Sequence, residues 1–219
     1  MRNSVLKQLA TIVVLVISFT FLNGCSDNND DIENENIENN DDSNDLTNGI
    51  LTETDKEALL FMLEEEKLAR DTYTYLNNLW SINQFANITK SEQTHMDAIE
   101  SLLTQNKIEY TILPVGEYKN EDLQKLYNQF VIDGAIDKTN AFKIGATIED
   151  LDIVDLQDSI DATTNAAIIS VFESLQCGSR NHLRSFVSGL EKVGGSYSPQ
   201  FLTKAAYDTI VLGSNEKCN

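Results

Sequence analysis

Ser91-Glu92-Gln93-Thr94-His95 places a carboxylate and an imidazole three residues apart inside an apolar pattern of helical period. On a helix, positions i and i+3 share a face roughly 5–6 Å apart, so both groups can reach one point, which is how a helix offers two ligands to one metal ion. A salt-bridged couple on a solvated face has the same spacing. What separates the two readings is whether other helices carry similar groups at the same depth. The chain has two histidines, His95 and His182, and both fall on apolar seams.

From Leu51 onward the pattern is helical, with only two prolines in the whole chain and no sustained alternation of apolar and polar residues, so the fold class is all-α. Thr52 or Thr54 caps a first helix whose seam runs Leu59, Met62, Glu66, Ala69, Tyr73, Leu76, Trp80. Glu66 is the one carboxylate on that stripe and needs a partner there, because an ionised group taken out of water alone is very costly. Glu64 and Glu65 fall off the seam and are expected in solvent. A second helix over 90–105 carries Ile88, Glu92, His95, Ile99 and Leu102, which turns the opening pair inward. Pro114 and Gly116 mark a long connection that contains a short helix from Asn120 to about Gly134.

A third main helix over 138–156 has the seam Phe142, Gly145, Glu149, Asp152, Leu156. A competing seam of Ile144, Ile148 and Leu151 would put the two carboxylates at its edge. The fourth helix, over 163–192, carries Ile168, Phe172, Leu175, Ser179, His182, Phe186 and Val193, and Gly194-Gly195 stops it. A tail from Tyr197 to about Leu212 packs across the helices and receives no chemistry. Glu66, Glu92, His95, Glu149 and His182, with Asp152 as a further candidate, form a carboxylate and imidazole set that suits iron, manganese or zinc.

The formal net charge of −19 argues against nucleic acid as a partner and for a cation-handling or acidic soluble surface. Arg2 and Lys7 precede a short apolar run from Leu9 to Leu22, and Leu22-Asn23-Gly24-Cys25 resembles a bacterial lipobox, so residues 1–24 read as a lipoprotein signal peptide and Cys25 as the lipidated residue. An ordinary cleaved signal peptide is the alternative. Residues 26–46 hold nine Asp or Glu and no Lys or Arg, and 25–50 read as a disordered acidic tether ahead of a helical domain over 51–219. The address that follows is the bacterial cell envelope, with the membrane reached through a lipid anchor, and the acidic residues directly behind Cys25 resemble the export signals of surface lipoproteins in the Bacteroidetes, which implies the outer membrane or cell surface. Of the other cysteines, Cys177 and Cys218 either form one disulfide tying the tail to the last helix or remain a buried thiol and a free tail thiol.

Glu66-Lys67-Leu68-Ala69-Arg70-Asp71-Thr72-Tyr73 resembles the first-helix pattern of the ferritin-like superfamily, particularly rubrerythrin and bacterioferritin, and Glu92-Gln93-Thr94-His95 resembles their second-helix Glu-x-x-His. Together with Ile148 to Leu156 and Gly178-Ser179-Arg180-Asn181-His182-Leu183, residues 51–205 look like the DUF2202 family, a ferritin-like group. The resemblance implies a four-helix bundle of two antiparallel pairs joined by a long crossover. It further implies a non-haem iron site, di-iron or mononuclear, reacting with oxygen or peroxide. Glu92 would bridge, Glu66 and Glu149 would be terminal ligands, and His95 and His182 would cap each metal. Asp152 resembles a second carboxylate of rubrerythrins. Tyr73 would hydrogen-bond a ligand or donate an electron, or be a core aromatic.

One departure is plain, since Ser179 stands where the fourth-helix pattern has a bridging Glu. No Cys-x-x-Cys domain accompanies the helices, so electrons would come from an external donor. The competing expectation is a metal-free, surface-tethered helical binding or structural module, with Arg70 or Arg180 satisfying the inward carboxylates.

Overall fold

The computed structural model describes residues 51–218. The expected signal peptide, Cys25 and the acidic tether lie outside the described residues. Within them the protein is all-α, with six helices: α1 (Glu53–Trp80), α2 (Asn83–Gln105), α3 (Glu121–Gly134), α4 (Lys138–Ala162), α5 (Ala166–Lys192) and α6 (Lys204–Leu212). None of these helices is long and apolar enough to cross a membrane.

Polar caps fix most helix starts. Thr52 and Asp55 form a reciprocal capping box at α1, while Asn120, Asp137, Asn165 and Thr203 accept from first-turn amides of α3, α4, α5 and α6. α2 has no side-chain cap and starts at Asn83, seven residues before the expected Lys90. Its first turns are instead held by tertiary packing of Phe85 and Ile88. α4 runs to Ala162, six residues past the expected end, and both of its apolar seams are buried, because α1, α3 and α5 all pack on it. Val193, expected on the inward seam of α5, is instead its exposed C-cap, and Gly194 follows at φ +80°.

Short connections make α1 and α2 one packed pair and α4 and α5 another, and α1–α4 and α2–α5 contacts join the pairs. The crossover between pairs is tied to α1 by a buried ion pair. Lys67 Nζ lies 2.6 Å from Asp71 Oδ2 and also donates to the carbonyls of Pro114 and Glu117, while Asp71 accepts from Gly116 N and Tyr118 Oη. Glu64 accepts the amides of Lys119 and Asn120, so it serves the crossover rather than facing water alone.

Two apolar clusters fill the interior. One holds Tyr73, Phe85, Phe142 and Phe186, and the other Leu59, Met62, Met96, Leu156 and Phe172. On each long helix the seam passes from one cluster to the other across Glu66, across Glu92 and His95, across Glu149 and Asp152, or across Ser179 and His182. The polar groups therefore form a layer between two hydrophobic compartments.

The tail is anchored by Asp150, which is fully buried on α4 and accepts from Tyr197 Oη at 2.8 Å and from the amides of Gln200, Phe201 and Leu202 at 2.6, 3.1 and 2.8 Å. Asp150→Ala strands all four donors. It is expected to lower unfolding free energy by about 3–5 kcal/mol, measured by urea titration. A loss under about 1 kcal/mol would show that the tail is held by its apolar contacts instead.

Candidate metal centre

The four long helices bring Glu66, Glu92, His95, Glu149 and His182 into one interior layer, each between 1 % and 8 % exposed. Glu92 is central. Its Oε2 lies 2.9 Å from His95 Nδ1, and its Oε1 lies 3.0 Å from His182 Nδ1. Glu66 Oε2 stands 3.1 Å from His95 Nδ1, and Glu149 Oε2 stands 3.4 Å from His182 Nδ1. Two triads result, Glu66–Glu92–His95 and Glu92–Glu149–His182, each with its potential ligand atoms within 4.8 Å of one another, and Glu92 belongs to both. The two imidazoles lie nearly parallel with centroids 5.6 Å apart.

Hydrogen bonding leaves this layer incompletely satisfied. Glu66 Oε1, Glu92 Oε1, Asp152 Oδ1 and His182 Nδ1 are buried and make no hydrogen bond. Glu92 Oε1 and His182 Nδ1 face each other at 3.0 Å, but off the axis a hydrogen bond requires. Donor atoms bound to one ion at about 2.1 Å and about 90° also lie about 3 Å apart, each aimed at the ion rather than at its neighbour. Charge fits as well. Glu66, Glu92, Glu149 and Asp152 ionised against two divalent cations sum to zero, with both histidines neutral.

Without an ion, protons must do the same work. Glu92 stays ionised, because the two histidines outweigh its burial and hold it well below the usual carboxylate range. Burial works against the charged histidines too, but Glu92 and Glu149 hold His182 up to about 10, and Glu66 and Glu92 hold His95 well above its ordinary value. Burial pushes Glu66 up to about 8, and burial with the Glu92 charge pushes Glu149 up to about 7. Asp152 is raised by burial and by its carboxylate neighbours Glu66 and Glu149.

The surrounding side chains orient these groups. Tyr73 Oη donates to Glu149 Oε1 at 2.6 Å, and burial followed by the Glu149 charge keeps its phenol protonated. Ser91 Oγ lies 3.0 Å from His182 Nε2, so an Nε2–H donating to Ser91 leaves the Nδ1 lone pair turned toward Glu92. Ser179 Oγ donates to Asp152 Oδ2 at 2.5 Å, which brings an α4 carboxylate to the α5 position where the resemblance has a glutamate. Asp152 belongs to neither triad.

The family described as "Uncharacterized protein domain (DUF2202)" matches residues 55–214. The chain belongs to the DUF2202 family. Its DUF2202 segment contains all the residues of both triads. Over 169 residues it is 44 % identical to "Uncharacterized protein MJ0754" of Methanocaldococcus jannaschii, covering 76 % of this chain and 91 % of that protein. It is similar to the crystal structure of hypothetical protein MJ0754, with a TM-score of 0.76 and 43 % identity, covering 79 % of this chain and all of that one.

In this DUF2202 chain, four features of the site differ from the sequence expectation or were missed by it. Glu65, expected in solvent, is 2 % exposed and faces the Asp155 carboxyl, because α1 is enclosed by more than one helix. Burial and the nearby Asp155 and Asp152 raise its pKa well above the ordinary value. Arg70 and Arg180 do not satisfy the inward carboxylates, since Arg70 binds Asp71 and Gln93 while Arg180 binds Gln176 and Glu216. Ser91 opens the Glu-x-x-His stretch without any signal of its role. Gly178 was also silent. A Cβ there would sit 2.7 Å from His95 Nε2 and 2.8 Å from its Cε1.

Gly178→Ala is therefore expected to push the His95 ring from its place while leaving His182 paired with Glu92 and Glu149. If each triad takes one ion, the variant offered Zn²⁺ should bind about half as much as the parent. Full retention would mean that α5 shifts to accommodate the methyl group.

Proposed function

We propose that this DUF2202 protein is a ferritin-like, lipid-anchored metal-binding protein of the bacterial envelope whose interior layer holds a pair of non-haem metal ions, iron foremost. The observation that carries this reading is Glu92, whose two oxygens face two histidines while a further carboxylate stands beside each. Two helix pairs joined by a long crossover also suit the ferritin-like arrangement, in which metals lie between four helices. Glu92 would offer one oxygen to each of two ions, Glu66 and His95 would hold one of them, and Glu149 and His182 would hold the other. Asp152, held by Ser179, supplies the carboxylate that the α5 serine lacks.

When bound, iron would supply redox chemistry toward oxygen or a peroxide, and manganese or zinc are the other ions that this donor set suits. The chain's own residues set the stage for that chemistry. Tyr73 holds Glu149, Ser91 holds the outer ring nitrogen of His182, and the two apolar clusters exclude water from above and below the layer. A separate donor protein would supply the electrons for any such redox chemistry. Anchoring rests on Cys25 and its preceding apolar run.

The test is metal analysis of the full chain after anaerobic exposure to Fe²⁺, Mn²⁺ or Zn²⁺, with melting followed in parallel. Stoichiometric metal and a raised Tm are expected, because an ion that binds only the folded state stabilises it. A second reading, a metal-free helical binding or structural module, is favoured by the self-consistent proton arrangement in which ionised Glu92 lies between two charged histidines. Absence of bound metal together with an unchanged Tm would select it.

A further inference from the structure

A cleft of about 480 Å³ opens on the outer side of the two histidines, between α2 and α5. Ser91, His95, Gly178 and His182 lie along it, and Glu216 and Cys218 bring the C-terminal strap, residues 213–218, to its wall. The strap is bound from several directions. Glu216 accepts from Arg180 Nε at 3.0 Å, Arg180 Nη2 at 2.6 Å and Arg184 Nη2 at 2.6 Å, and its amide donates to Asn181 Oδ1 at 2.9 Å. Asn181 returns a bond from Nδ2 to the Glu216 carbonyl. The last tie is covalent, a disulfide between Cys218 and Cys177, the residue next to Gly178 under His95.

The ties differ in durability. Glu216 is about one-third exposed, and its bidentate pairing with Arg180 and its bond to Arg184 form a small network that water still reaches. The disulfide is the covalent tie beside it, so breaking it leaves the strap on that network alone. It is also reachable. A separate groove exposes it beside Ser170, Glu173 and Lys217, with Cys218 on the solvent side and Cys177 buried.

We propose that Cys177–Cys218 is a thiol-reducible latch that holds the C-terminal strap as one wall of the histidine cleft and so governs exchange between the interior layer and solvent. A thiolate of a dithiol donor attacks the accessible Cys218 sulfur, forming a mixed disulfide and releasing Cys177 as a thiolate that takes up a proton. The donor's second thiol then resolves the mixed disulfide. Two S–H bonds of the donor are exchanged for one S–S bond, while the protein gains two S–H groups, so two electrons and two protons pass from donor to chain. The strap then rests on the Glu216 network and the Asn181 hydrogen bonds alone and opens more readily. That the gated traffic is a metal ion rests on the proposed function, whereas the latch itself does not.

The experiment compares the full chain in oxidised form, after reduction and alkylation, and as the C177S/C218S variant, which has no thiol from this pair to bind metal. Amide exchange at Glu216 is followed on metal-free protein, and release of Zn²⁺ to EDTA is followed on loaded protein. Reduction and the double substitution are both expected to lower protection at Glu216 and to speed Zn²⁺ release about ten-fold. Undiminished protection at Glu216, or release at the same rate in all three forms, overturns the latch. If none of the three takes up Zn²⁺, the metal assignment fails and Glu216 exchange alone decides the latch. Exposure of that amide then supports it and persistent protection refutes it.

Discussion

Replacing Glu92 by alanine is expected to empty both halves of the site at once. Because one oxygen faces His95 and the other His182, the substitution removes a ligand atom from each triad. Metal content should fall from about two ions per chain to near zero, whereas Glu66→Ala and Glu149→Ala should each remove about one. This contrast is the informative part, since three equal losses would mean one ion shared by the whole layer. The metal-free protein should also suffer. Glu92 is the anion between two buried histidines, and deleting it leaves His95 with Glu66 alone and His182 with Glu149 alone to keep them protonated, at a cost of about 3–5 kcal/mol in urea unfolding. Glu92→Gln keeps the shape and loses the charge, so it should reproduce most of both effects.

A second large effect is expected from pH. In the metal-free chain His182 is held up to about 10 and His95 is raised, against about 6.5 in an unfolded chain, so their stabilising contribution is complete below about 6.5 and is lost as pH rises through 10. Glu66 and Glu149, raised to about 8 and about 7, act in the same direction, because the folded state holds their protons more tightly than the unfolded one. Glu92 runs the other way. Its contribution is present above the ordinary carboxylate value and is lost as pH falls through its depressed one. Metal-free stability should therefore peak at about pH 4, where the Glu92 contribution and those of Glu66 and Glu149 balance, and decline from there toward pH 10.

An ion that replaces these protons must release them, so loading strengthens as pH rises. The gap in Tm between loaded and metal-free protein should widen from pH 6 to pH 8, read by calorimetry at both values. A gap independent of pH would show that metal and protons do not compete for these groups.

Much of the layer was legible because a charged residue inside an apolar seam is conspicuous. Glu66, Glu92, His95 and His182 could be read from period and burial cost alone. Glu149 and Asp152 were less clear, since α4 is apolar on several faces and its period does not single out one of them. Both of its candidate seams prove to be buried. Other contributions could not be read because they depend on contacts between helices. Glu65 lies one residue from the seam of α1 and would be exposed on a helix with a single neighbour, yet it is enclosed here. Gly178 matters only through the His95 ring of another helix, and Asp150 only through amides some fifty residues later. The pairing of Cys177 with Cys218 depends on how the tail returns after α6, which the apolar pattern does not encode.

The polar layer also bears on how the protein comes apart. Its two apolar compartments meet almost nowhere, with Phe61 alone among the flanking side chains packed on both. The long helices run unbroken through both compartments, and the charged groups at mid-height are what packs those helices against one another between them. With ions in place, four helices are cross-linked at that level and should unfold as one cooperative unit. Without them, each compartment can loosen on its own, so filling the site would decide how many pieces the domain melts in as well as how hot it must be.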